Sequence, residues 1–125
     1  MADTHRILVV DDDPDIRETV ADVLQDEGHT VQVASNGREA LDLLRDGQGA
    51  PLPELVLLDL MMPELDGWGF LAEVERDPRL ASLPVVVFSA YTSGQASVAS
   101  LKVRGFVRKP LRLEELLDAI TRATA

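Results

Sequence analysis

No cysteine occurs anywhere in the 125 residues, which excludes disulfides, thiolate metal sites and thiol nucleophiles. No apolar run approaches the ~20 residues that a membrane-spanning helix needs. Ile7–Val10, behind the N-terminal MADTHR, is too short for a signal-peptide core. Internal repeats, linkers and low-complexity segments are lacking as well. Basic residues are outnumbered 12 to 22 by acidic ones, leaving a formal charge of −10, so nucleic acid is not expected as a direct ligand. These absences predict one cytoplasmic domain over residues 1–125 that does not associate with membranes. No basic recognition helix is expected after its last helix, hence no output domain.

What is present is a 46% apolar content arranged in short blocks, enough for a folded core. The central block is Leu55–Gly67, LVLLDLMMPELDG. Four apolar residues run into Asp59 and are followed by Pro63 and an Asp66-Gly67 turn signal. That pattern predicts a strand buried on both faces that delivers a carboxylate into a loop. A buried carboxylate is costly without a partner, so cations are expected near it.

The other blocks follow in order. Ile7–Val10 predicts a first strand running into Asp11-Asp12-Asp13. Pro14 suits the first turn of a helix capped by Asp13, with Ile16, Val20, Val23 and Leu24 on one face and Gly28 as the stop. Thr30–Ala34 alternates and predicts a more exposed second strand. Asn36 with Glu39 resembles a capping box for a second helix carrying Ala40, Leu41 and Leu44 and ending near Gly47. Asp66 can cap a third helix with Phe70, Leu71 and Val74, ended by Asp77-Pro78. Val85–Phe88 is a fourth strand closing on Ser89. Residues 93–103 suggest a fourth helix anchored only by Val98, Leu101 and Val103. Phe106–Arg108 is a short fifth strand, followed by Lys109-Pro110 and a fifth helix with Leu113, Leu116, Leu117 and Ile120. Strands alternating with helices predict an α/β fold, a parallel sheet with helices on both faces.

In such sheets, ligands bind beyond the carboxyl ends of the strands. Strand one ends in Asp11-Asp12, strand three in Asp59, strand four in Ser89 and strand five in Lys109. Each has an ordinary structural explanation alone: a solvated helix cap, an ion pair, a strand-end hydroxyl. Together they place three carboxylates, a hydroxyl and an ammonium on one edge, where the carboxylates repel unless a cation sits between them. Oxygen ligands without His or Cys suit Mg²⁺. A lysine and a hydroxyl suit the remaining oxygens of a phosphoryl group, with Asp59 as the nucleophile.

With these residues placed, the sequence closely resembles the receiver domain of bacterial two-component response regulators. The resemblance runs from ILVVDDDPDIRE through LVLLDLMMPELDGW and VVVFSA to GFVRKPL. It implies a flavodoxin-like three-layer (βα)5 sandwich with strand order 2-1-3-4-5. It also implies that Asp59 is the phosphoacceptor, that Asp12 binds Mg²⁺ directly and Asp11 largely through water, and that the Met61 backbone carbonyl is a third protein ligand. Ser89 and Phe106 match the switch pair, and Lys109 the motif lysine, joined to Pro110 by a cis peptide. The implied phosphoryl donor is a histidine kinase or a histidine phosphotransfer protein. The implied output is binding of a downstream protein on the face made by helix four, strand five and helix five. Six of the twelve basic residues (Lys102, Arg104, Arg108, Lys109, Arg112, Arg122) lie in that segment with only three acids. A docking partner is therefore expected there, weakened by reversing Arg104 and Arg108.

Three features depart from the common pattern. The Ser89–Lys109 interval is short, Phe106 has no hydroxyl, and Arg112 stands where a capping Asp is usual. Met61 and Tyr91 match positions that tune phosphoryl lifetime, and their bulk should slow water attack. Rival readings are an aspartyl-phosphate phosphatase, which would want a second carboxylate where Met61 stands, and an FMN-type binder. The latter would want a glycine- or hydroxyl-rich phosphate loop in place of Asp11–Asp13. An unphosphorylated scaffold is a third.

Overall fold

The computed structural model describes residues 4–46, 52–60, 62, 64–89, 103–108 and 112–124. Five parallel strands, β1 (Arg6–Val10), β2 (Thr30–Ala34), β3 (Leu55–Leu58), β4 (Val85–Ser89) and β5 (Gly105–Arg108), form one sheet in the order β2-β1-β3-β4-β5. The described helices are α1 (Pro14–Asp26), α2 (Gly37–Asp46), α3 (Gly67–Arg76) and α4 (Leu113–Ala123). The last is the fifth of the expected helices. The expected 93–103 helix lies outside the described residues except for Val103, which is in no helix or strand.

Alternation along the strands sorts the core into two layers, because successive side chains point to opposite faces. Ile7 and Val9 of β1, Leu55 and Leu57 of β3, and Val86 and Phe88 of β4 pack with Val20 and Leu24 of α1 and Leu116 and Ile120 of α4. Leu8, Val10, Val56, Leu58, Val85 and Val87 face the other way, onto Leu41 and Leu44 of α2 and Phe70 and Val74 of α3. The result is the expected three-layer flavodoxin-like sandwich. All four residues of β3 are fully buried, as its unbroken apolar run requires. β2, at the sheet edge, leaves Val33 41% exposed.

Helix starts follow the local signals. The Asp13 carboxylate accepts from the Asp15 and Ile16 amides, with Pro14 next in the first turn. Asp66 Oδ1 accepts from the Gly69 amide at 2.9 Å. The capping box at α2 is offset. Asn36 Oδ1 accepts from the Glu39 amide at 2.8 Å, but the Glu39 carboxylate turns to the Ser35 amide and hydroxyl, one residue early. α4 differs from expectation in two residues: Leu113 is 51% exposed, and Ala123 takes part in the buried stripe.

Candidate functional site

The hydrogen-bond ladder continues one residue past the ends of β1 and β3. The Asp59 amide donates to the Val10 carbonyl at 2.9 Å and the Asp11 amide to the Ala34 carbonyl at 3.1 Å. The carboxylates of Asp11 and Asp59 therefore emerge side by side at the carboxyl edge of the central strands, with Asp12 next in the chain. Asp11 is fully buried and Asp59 is 4% exposed, while Asp12 faces solvent. One carboxylate oxygen from each of the three lies within 4.8 Å of the others.

Such proximity is costly. At an effective dielectric of ~20, two charges at that separation repel by roughly 3 kcal/mol. Local bonds hold the arrangement in place. Asp11 Oδ1 accepts from the Asp13 amide at 2.8 Å, and the Arg17 guanidinium donates to the Asp11 carbonyl at 2.8 Å. Hard oxygen donors without nitrogen or sulfur fit a small hard cation such as Mg²⁺, and the cluster fits that group in kind and in charge.

The expected site residues fall as follows. Asp11, Asp12 and Asp59 come together. Ser89 is the last residue of β4, in register with Arg108. Phe106 pairs with Val87 and is half-buried. It borders a surface depression with Val107, Glu115, Asp118, Ala119 and Arg122, between β5 and α4. Met61, Tyr91, Lys109 and Pro110 lie outside the described residues, and with them the carbonyl ligand, the ammonium and the cis peptide. Arg17 was not singled out by its motif. Its signal was available in the sequence, since a cation in the first turn of a helix opposes the macrodipole and calls for another partner. Among the basic residues of the C-terminal segment, Arg104 is already engaged, donating to the Ala123 carbonyl at 3.0 Å.

The family model described as "Response regulator receiver domain" matches residues 7–121. The chain belongs to this family. Curated relatives of this receiver domain include the response regulator Rre1 of Synechocystis, 39% identical over 98% of the chain and 52% of Rre1. An uncharacterised 14.6 kDa protein of Leptolyngbya boryana is 39% identical over 91% of the chain and 86% of its own length. The receiver domain thus spans about half the length of Rre1. Among solved structures, the chemotaxis protein CheY4 of Vibrio cholerae superposes with a TM-score of 0.82. It is 29% identical, with 97% of this chain and 99% of CheY4 covered. The receiver domain family is a signalling family of two-component response regulators. No described helix is long and apolar enough to cross a membrane.

Proposed function

We propose that this receiver domain accepts a phosphoryl group on Asp59 in a Mg²⁺-dependent reaction. The observation that carries the reading is the meeting of the Asp11, Asp12 and Asp59 carboxylates within 4.8 Å at the carboxyl edge of the sheet, two of them buried. Mg²⁺ held by these carboxylates and the Met61 carbonyl would screen the approach of one anion to another.

An Asp59 carboxylate oxygen forms the new bond to phosphorus as the bond from phosphorus to a donor histidine nitrogen breaks. The electron pair stays on that nitrogen, which then takes up a proton. The donor is a histidine kinase or a histidine phosphotransfer protein. Lys109 and Ser89 bind the other phosphoryl oxygens, roles that rest on the family resemblance. Water later attacks phosphorus, releasing inorganic phosphate and restoring the carboxylate, so the chemistry is confined to the domain's own modification.

Output follows from Ser89 moving to the phosphoryl group and Phe106 turning inward, which repacks the surface around β5 and α4 for a downstream protein. The half-buried position of Phe106, beside a surface depression, supports this reading. The setting is cytoplasmic, where such kinases present their phosphohistidine. Incubation with acetyl phosphate and Mg²⁺ tests the reading by intact mass. Wild type gains one phosphoryl group, and chelation or Asp59→Ala abolishes the gain. No gain in wild type, or an equal gain in the variant, rejects it.

A further inference from the structure

Two glycines stand where alanine would serve a helix better. Gly37 opens α2 and Gly67 opens α3. Neither has a positive φ; among the described residues only Gly28 and Glu64 do. Glycine loses more conformational freedom on folding than alanine does, and backbone conformation does not demand it at either position.

Distance does. A Cβ on Gly67 would lie 2.7 Å from Leu60 Cα and 2.8 Å from the Asp59 carbonyl oxygen, and the Gly67 amide donates to the Leu60 carbonyl at 3.0 Å. A Cβ on Gly37 would lie 2.5 Å from the Leu65 carbonyl oxygen, which accepts from the Gly37 amide at 3.0 Å. All of these obstacles except a Leu60 methyl and the Leu65 Cβ are backbone atoms, which cannot swing aside. The backbone leaving Asp59 is thus pressed by α3 just after the carboxylate and tied to α2 at Leu65. Between the two grips, Glu64 is held at φ 67°, a conformation that costs a non-glycine residue on the order of 1 kcal/mol and persists only where surroundings enforce it.

We propose that Gly67 and Gly37 are positioning residues that set where the Asp59 carboxylate stands relative to Asp11 and Asp12, and so set the site's affinity for a divalent cation. The inference rests on the metal-binding reading above. A side chain at Gly67 forces the Asp59–Leu60 peptide away from α3. The carboxylate on that peptide moves relative to its two neighbours. Mg²⁺ demands near-ideal octahedral geometry, with oxygens at ~2.1 Å, and tolerates such shifts poorly. Changing the groups that orient metal ligands typically costs about 10–100-fold in metal affinity.

Mn²⁺, an oxygen-seeking octahedral ion visible by paramagnetic resonance, serves as the probe. Its affinity is measured for wild type, Gly67→Ala, Gly37→Ala and the control Gly69→Ala, whose Cβ would meet chiefly the flexible end of the Leu65 side chain. Urea unfolding of each variant identifies the folded proteins. The expected result is a loss of ~10-fold or more for Gly67→Ala, a smaller loss of the same sign for Gly37→Ala, and under ~2-fold for Gly69→Ala. If Gly67→Ala does not fold, the loss in folded Gly37→Ala carries the proposal. Wild-type affinity in the folded variants, or failure of both to fold, assigns the glycines a purely structural role and overturns it. Absence of Mn²⁺ binding in wild type, or binding undiminished by Asp12→Ala with Asp59→Asn, instead rejects the metal reading itself and the inference with it.

Discussion

The Asp59 amide donates to the Val10 carbonyl at 2.9 Å, and through that bond the end of β3 is held level with the end of β1. The register Val10↔Leu58 then makes Asp59 and Asp11 neighbours. Two hydrophobic strands, each driven into the core, bring two carboxylates together that would otherwise repel. Folding of the apolar layers is what supports that placement.

Metal binding should return stability. A ligand at a hundred times its Kd stabilises the folded state by about 2.7 kcal/mol. Urea unfolding with and without Mg²⁺ should show a gain of that order in wild type. Asp12→Ala should lose most of it at the same Mg²⁺ concentration, and an undiminished gain would contradict the assignment of Asp12.

Stability should also fall in mild acid through His29, at the opposite edge of the sheet. The His5 amide donates to His29 Nδ1 at 3.0 Å, which requires that nitrogen to be unprotonated. The two rings stack with centroids 5.7 Å apart. Burial, then the neighbouring His5, lowers the His29 pKa from 6.5, against the opposing pull of Glu27 and Glu54. Below 6.5 the unfolded chain takes up a proton that the folded chain resists. The His29 contribution is therefore complete above that pH and is lost as pH falls through the folded value. Urea midpoints between pH ~7.5 and ~5.5 should decline less steeply in His29→Gln. Equal slopes would contradict this.

α4 begins without a side-chain cap. Arg112 occupies the N-cap position in an extended conformation and makes no capping bond. Arg112→Asp should raise stability by about 1 kcal/mol through a bond to the first-turn amides and a better match to the macrodipole. An unchanged or lower urea midpoint would show that Arg112 is engaged elsewhere.

Arg104 behaves as a C-terminal clamp on α4. Its guanidinium donates to the Ala123 carbonyl at 3.0 Å, so Arg104→Glu should destabilise by roughly 1–2 kcal/mol. Arg122, paired on the surface with Asp118 at 2.7 Å, should tolerate neutralisation by Arg122→Gln with a smaller loss, about 0.5 kcal/mol. If Arg104→Glu proves neutral in urea unfolding, its reversal becomes a clean probe of partner docking. Otherwise a weakened complex mixes two effects.

The strands and the acidic cluster were legible because each has a short-range cause, whereas the strand order came only with the family resemblance. Apolar runs mark strands buried on both faces, and chain position puts Asp11, Asp12 and Asp59 just past two of them. Caps at Asp13 and Asp66 were legible for the same reason. The offset of Glu39 onto Ser35 was not, since the motif fixes spacing but not which nearby amide wins. Leu113 fits the apolar stripe by spacing, yet it sits at the open first turn of α4 and is exposed. Gly67 was read only as part of a turn signal, and the close approaches at Gly37 and Gly67 were invisible, because a 2.5–2.8 Å approach is a tertiary distance with no sequence pattern. Arg17 lay between: its charge was out of place, but its partner, the Asp11 carbonyl, was beyond reading.

The account's central claim is that Asp59 itself forms the acyl phosphate. Borohydride reduces an aspartyl phosphate to homoserine, so trapping after treatment with acetyl phosphate and Mg²⁺, followed by peptide sequencing in the mass spectrometer, locates the modified residue. The account predicts homoserine at position 59 and at neither Asp11 nor Asp12, dependent on Mg²⁺. Homoserine at another carboxylate, or none in protein that binds the metal, would contradict it.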